Sequence, residues 1–498
     1  MKQTAPKQAA SVENVFRLDG RVPLGKAIPF GLQHILAMFV ANLTPITIIA
    51  AAAGLEHSMI AILLQNAMIA AGIATLIQLY PIWKVGSGLP VVMGVSFTFV
   101  AVLSSVAVNY GYGTVVGSVL VGGIVEGVLG LLAKYWRKLV TPIVAGCVVT
   151  GIGLSLFSVG VRSYGGGYNE DYGSWQNLLL ATITLATCLL WSSLAKGYLK
   201  QIAVLVGMIV GYIAAIFVGK VNLSAILADG IISLPHILPI KPEFNLHAII
   251  PVVLIYLVSA AETIGDTTAL CHGGLARDIT EKEISGSLAI DGFGSAISSL
   301  FSTPPVTSFS QNVGLVAMTK VVNRFTIMTG AVIMILCGLL PPIANFFASL
   351  PDAVLGGCTV MMFGNICVAG FQMLSRAGFN QRNTTIASLS LAIGVGTTAA
   401  SEADIWNVFP ELVQSIFKEN VVAVIFVVAI VLDLVLPKNM EINQETYPLQ
   451  MRFCSPAEKP GSSFLLFCPG NSPARAVFAL KEGQDSCKIH IVIRRKKW

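Results

Sequence analysis

Five ionisable side chains stand inside long apolar runs of this chain: His34, Glu126, Glu262, Asp266 and Asp291. A charge surrounded by hydrocarbon is costly, so each is a functional candidate by default. Glu262 and Asp266 are four apart in Ala261-Glu262-Thr263-Ile264-Gly265-Asp266 and share one helix face. Ionised together and desolvated, they would repel, so at least one is expected to hold a proton. A group whose protonation follows substrate occupancy is what a proton-coupled carrier requires. His34 can relay a proton, orient a partner, or sit as a satisfied buried imidazole. Asp291 is assigned to coupling or to holding the site together. Glu126 has no motif around it and reads as structural.

A second cluster is polar but uncharged. Thr307-Ser308-Phe309-Ser310-Gln311-Asn312-Val313-Gly314 follows Pro304-Pro305 in a short apolar segment. Adjacent Gln and Asn there are hard to explain as packing. Gln311 offers a paired donor and acceptor suited to the edge of an amide-like heterocycle. Phe309 can stack on a flat ring. If a half-helix starts here, its free amides also face polar ligand groups. Ser96, Phe97 and Thr98 occupy the corresponding place after Ser87-Gly88-Leu89-Pro90.

The elements that must position these groups are membrane helices. The 498 residues are 55% hydrophobic and 11% charged, with mean hydropathy +0.77; a soluble domain carries about 25% charged residues. Fourteen apolar segments follow: 28–50, 58–80, 88–107, 112–133, 140–160, 176–195, 200–218, 246–268, 284–301, 305–318, 325–347, 353–374, 383–399 and 418–436. With the N-terminus inside, 17 Lys and Arg fall on the inner side of this count and 4 on the outer (Arg162, Lys220, Lys241, Lys418). That satisfies the positive-inside rule. The first 27 residues are polar and basic, so insertion is expected to begin with the first span and not with a cleaved signal. The net charge of +6 does not indicate nucleic acid, because the basic residues sit at span ends. The nine cysteines are scattered without a CxxC pair and read as small buried hydrophobes. No metal-ligand cluster or nucleophile–base set accompanies the carboxylates, which argues against an enzyme.

The halves echo each other. Ala145-Gly146-Cys147 recurs as Gly356-Gly357-Cys358, and the two proline-led polar segments correspond at a similar offset. A seven-span repeat is odd-numbered and must be inverted, which places a binding site near the midplane between broken helices. Residues 1–20 read as a mobile cytoplasmic segment. Residues 439–498 are polar, end Arg494-Arg495-Lys496-Lys497-Trp498, and read as a cytoplasmic tail; a disordered tail with no specific role is favoured over one lying on anionic lipid.

Gln311-Asn312-Val313-Gly314, four residues, then Thr319-Lys320 matches the signature of the nucleobase–ascorbate transporter family, nucleobase:cation symporter-2. Gln33-His34, the Glu262/Asp266 pair and Asp291-Gly292 resemble that family's further motifs, and the resemblance covers roughly residues 15–438. It implies an all-α polytopic protein of 14 spans in two inverted repeats of seven. Short strands in segments 3 and 10 would lead into half-helices. The core domain would comprise 21–138 and 246–348, the gate domain 139–222 and 349–438. It also implies a homodimer in the plasma (cell inner) membrane, both termini cytoplasmic, working by elevator-like motion with a proton as coupling ion and no other cofactor. By carry-over, Glu262 and Gln311 bind a base, and Phe309 and Phe97 pack on or near it. Ser96 lies beside it, and Asn312 shapes specificity. Asp266 and Asp291 serve coupling and architecture, and His34 supports the site. Gly314, Thr319 and Lys320 complete the signature. Asp266 and Ser96 resemble the patterns of carriers of oxidised purines, xanthine or uric acid. Uracil or broader purine transport on the same fold is the rival; an anion carrier of the related sulfate-transporter architecture should lack the Gln-Asn-x-Gly signature.

Overall fold

The computed structural model describes residues 11–221, 230–399, 405–418, 420–437, 474–480 and 489–495. It divides into two compact units, Met1–Ile442 and Asn443–Trp498. In the first unit the chain runs through α1 (Leu24–Ala52), α2 (His57–Leu79), β1 (Met93–Val95), α3 (Val100–Tyr110), α4 (Tyr112–Leu131), the short α5 (Ala133–Trp136), α6 (Pro142–Gly165), α7 (Trp175–Leu194) and α8 (Ala203–Phe217). It continues through α9 (Leu246–Leu270), α10 (Glu281–Ser299), β2 (Val306–Ser308), α11 (Ser310–Thr319), α12 (Arg324–Gly338), α13 (Pro341–Ala348), α14 (Asp352–Ala377), α15 (Gln381–Ala399), α16 (Glu411–Phe417) and α17 (Val421–Val435).

The apolar segments of the sequence fall on these helices. Among the described residues, seven helices are long and apolar enough to cross a membrane, and eight if α12 and α13 count as one bent span. That bend of 77° corrects the single helix expected over 325–347. Pro341 and Pro342 cannot continue the hydrogen-bond ladder of α12, so the chain turns and restarts with proline in the first turn of α13.

Segments 3 and 10 are only partly helical. β1 pairs antiparallel with β2, Met93 opposite Ser308, Gly94 opposite Thr307 and Val95 opposite Val306. A two-stranded ribbon leaves backbone groups unpaired on its outer edges, and in an apolar interior these need partners. Side chains of the neighbouring helices supply them: Asn42 Oδ1 accepts from Val95 N at 2.7 Å and Thr75 Oγ1 from Met93 N at 2.9 Å. A Cβ on Gly94 would stand 2.5 Å from Met38 Cε and 2.8 Å from Phe309 Cδ2, so only glycine lets the ribbon lie this close to α1.

The helices pack in two groups. In one, α4 lies on α10, and α12 on α1 and α2; in the other, α14 lies on α6, α7 and α8, and α17 on α6 and α15. α9 touches α4 and α10 of the first group and α6 and α17 of the second. The α4–α10 crossing is a glycine seam. Built Cβ atoms on Gly123, Gly127, Gly130 and Gly292 would all strike the opposing helix within 2.7 Å.

Two expectations for the ends of the chain change. Residues 11–20 are docked, not mobile: Val15, Val22, Ala27 and Val321 form a small apolar cluster. Val322 N donates to Val15 O and Arg324 N to Leu18 O, while Arg324 pairs with Asp19. The second unit holds a hairpin of β3 (Ala474–Leu480) and β4 (Ile489–Arg495), in register from Ala474–Arg495 to Leu480–Ile489, where the sequence predicts a tail without structure. Ile489, Ile491, Val492 and Ile493 give β4 the β-branched content that favours strand. The remainder of the tail from 439, and residues 1–10, lie outside the described residues.

Candidate functional site

The strand ribbon delivers the starts of two short helical segments to α9. The chain leaves β1 into a turn, Phe97–Phe99, then α3; it leaves β2 directly into α11. Ser96 N donates to Pro305 O at 3.0 Å, and Ser96 Oγ accepts from Thr98 N at 3.3 Å, which caps that turn. Thr98 is thereby aimed at α9, where its Oγ1 donates to Glu262 Oε2 at 2.6 Å.

From the other side Ser310, the first residue of α11, lies 3.2 Å from Glu262 Oε1 and 2.8 Å from Asp266 Oδ2. Ser308 Oγ lies 2.9 Å from Asp266 Oδ2 and 3.1 Å from Thr263 Oγ1. Thr263 in turn bonds Asp291 Oδ2 on α10. Glu262, Asp266 and Asp291 therefore form one web, joined by Ser310, Ser308 and Thr263 and ended by Thr98.

The web has six oxygen–oxygen contacts and four hydroxyl groups. Each hydroxyl carries one proton, and each hydrogen bond uses one. Full hydrogen bonding needs two protons more, and only carboxyl groups can supply them.

The open part of the site lies at Glu262, Ser310 and Gln311, which are half-buried while Asp266 and Asp291 are buried. Gln311 has no hydrogen-bond partner among the described residues, so its amide is available to a ligand. Phe309 and Phe97 are buried beside the ribbon. Phe97 reaches the second helix group, with its ring centroid 5.4 Å from that of Phe363 on α14 in a T-shaped contact. Asn312 Nδ2 donates to the His34 carbonyl at 2.9 Å, tying α11 to α1. The His34 ring is fully buried and has no hydrogen-bond partner among the described residues.

The rest of the signature ends α11. Thr319 Oγ1 accepts from Val321 N at 3.3 Å, and Lys320 takes φ 58° as the helix terminates. Gly314 faces open space. Sequence reasoning missed the bridging hydroxyls of Thr98, Thr263, Ser308 and Ser310. Among the described residues no group of His, Cys, Asp and Glu has metal-site geometry.

A separate polar cavity of about 890 Å³ lies at one end of the helices, lined by His57, Asn169, Asp171, Asn177, Lys220 and Asp352 among others. Asp171 lies in a connecting loop there, its carboxyl held below the usual range by the hydrogen bond from the Lys220 ammonium.

Residues 25–403 match the family model Xan_ur_permease, described as a permease family. The xanthine permease XanP of Escherichia coli is 33% identical over 453 residues, covering 86% of this chain and 96% of that protein. The xanthine permease of Bacillus subtilis is 34% identical, covering 84% and 97%, and a putative purine permease of Clostridium perfringens 32%, covering 86% and 95%. Among solved structures, the transmembrane domain of the cyanobacterial bicarbonate transporter BicA aligns with TM-score 0.55 at 15% identity, over 81% of this chain and 98% of that one. The murine anion transporter Slc26a9 aligns with TM-score 0.55 at 11% identity, over 87% and 74%. These two likenesses concern the fold.

Proposed function

The chain belongs to this permease family, and we propose that it is a proton-coupled symporter importing an oxidised purine, xanthine and/or uric acid. It is a multi-pass membrane transporter and not an enzyme. The finer reading rests on one observation: a half-buried carboxylate, Glu262, bridged by Thr98 and Ser310 to the starts of both broken segments. A planar base with amide-like edges suits that place. Glu262 and Gln311 read its polar edge, Phe309 and Phe97 flank it, and Ser96 leaves room beside it. The names of the relatives favour xanthine; a broader purine or uracil permease is the alternative.

In this reading the fourteen segments span the cell inner membrane as two inverted repeats of seven, with both termini cytoplasmic. The groups around α4/α10 and around α14/α6 are core and gate, with the boundaries 21–138, 246–348 and 139–222, 349–438. The core carries base and protons past the gate, in a homodimer surrounded by lipid. Protons on the carboxyl web favour the loaded state, and their loss inside releases the base. Coupling requires base affinity to differ between protonated and deprotonated states.

The test is uptake of radiolabelled xanthine and urate in cells lacking their own purine permeases, with and without a protonophore. Protonophore-sensitive accumulation is expected, competed by unlabelled xanthine more strongly than by uracil. Glu262→Gln should abolish accumulation with the protein still in the membrane. Uptake that ignores the protonophore would overturn proton coupling, and uptake competed by uracil alone would overturn the purine.

A further inference from the structure

The carboxyl web does not end at Asp291. Its Oδ1 is buried without a hydrogen-bond partner among the described residues, and so are both oxygens of Glu126 on α4, a residue 1% exposed. The glycine seam brings the backbones that carry them together: a Cβ on Gly292 would stand 2.0 Å from Gly127 N and 2.6 Å from the Glu126 backbone carbonyl carbon. The charged or titratable groups within electrostatic reach of Glu126 are Asp291 on α10, Glu262 on α9 and, also on α9, Tyr256. None of these is a cation. Tyr256 spends its hydroxyl proton on Val119 O, at 3.1 Å. An ionised Glu126 would thus face two further carboxyls with no donor, in an apolar interior where that costs several kcal/mol.

We propose that Glu126 is a further proton-binding site, one that exchanges its proton with Asp291 Oδ1 and extends the relay from the base pocket to α4. A neutral Glu126 acid that swings to Asp291 Oδ1 would donate one hydrogen bond and satisfy an orphaned atom on each side. When Asp291 gains or loses its proton with base occupancy, the proton on Glu126 follows. Glu126 touches no base; it acts through Asp291.

The inference rests on the proton-coupled reading, and one measurement separates the two. Binding of radiolabelled xanthine to the purified protein in nanodiscs is followed from pH 5 to 9. Once the ionisation of free xanthine is subtracted, the slope of log Kd against pH counts protons the protein takes up with the base. Wild type is expected to lose affinity as pH rises. In Glu126→Gln, a neutral isostere that can still hydrogen-bond Asp291, the slope should fall by up to one proton per base. Glu126→Asp should recover part of it. A Glu126→Gln slope equal to wild type would mean that Glu126 is a permanently neutral structural acid and would overturn the inference. A flat wild-type profile would instead overturn proton coupling itself. If Glu126→Gln does not fold, Glu126→Asp decides: its shorter acid must shift the midpoint of the profile, and an unmoved midpoint sinks the proposal.

Discussion

At the scale of single residues, the site is a set of carboxyls whose behaviour is governed by hydroxyls. The carboxyls were legible because charge is scarce in apolar segments: Glu262, Asp266 and Asp291 could be picked out one by one. The hydroxyls were not. Ser and Thr are frequent throughout these helices, where many bond only the carbonyl one turn back, as Thr44, Thr150 and Thr184 do. Thr98 was marked only as part of a polar counterpart to 307–314; nothing local pointed to Glu262, which it meets across 164 positions of sequence. Its role predicts a specific defect. Thr98→Val keeps shape and removes the donor, leaving Glu262 Oε2 without that bond. Losing a hydrogen bond to such a group costs about 1–3 kcal/mol, roughly a 5- to 150-fold lower kcat/KM for uptake. Thr98→Ser should restore most of it. Equal uptake by Thr98→Val and wild type would remove Thr98 from the site.

At the scale of elements, two devices place those residues: the β1–β2 ribbon and the α4–α10 seam. Pro90 and Pro304-Pro305 signalled that segments 3 and 10 are broken, and the family resemblance supplied the strands. The pairing partners Asn42 and Thr75 sit on α1 and α2, and no spacing rule connects them to the ribbon. Of the seam, only Asp291-Gly292 stood out in the sequence, as a family motif; the glycines of α4 carried no reading of their own. It has a direct consequence. A methyl on Gly292 has no room to either side, because the atom it meets is backbone of α4. Gly292→Ala should therefore cost about 1–3 kcal/mol by overpacking, seen as a lower thermal midpoint and weaker base binding together. Gly396→Ala in α15, where a Cβ meets nothing within 4 Å, is the control and should leave the midpoint in place. A Gly292→Ala protein as stable as wild type would show that α4 and α10 are not locked in register.

At the scale of the whole first unit, the proposed mechanism requires the two helix groups to move past each other. The contacts between them include aromatic and hydroxyl pairs. Tyr212 on α8 packs against Phe346 on α13 with ring centroids 4.6 Å apart, its hydroxyl 2.8 Å from Ser349 Oγ, and Phe97 meets Phe363 beside the base pocket. Such contacts can be broken and remade without exposing a charge. The buried carboxyl web, in contrast, lies within the first group and on α9, so it would travel intact with the base. That division favours sliding of one group against the other over unwinding of the site. It is tested by joining Tyr212 and Phe346. In a chain whose nine native cysteines are replaced, Tyr212→Cys with Phe346→Cys should cross-link with a short bis-thiosulfonate reagent. Uptake should then stop and return on reduction, while binding of xanthine from one side persists. Either single variant treated alike should keep transporting. Full cross-linking with undiminished uptake would rule out relative movement at this contact, and the carrier would have to open by bending within α1 or α9, where Pro45 and Pro251 interrupt the helical ladder.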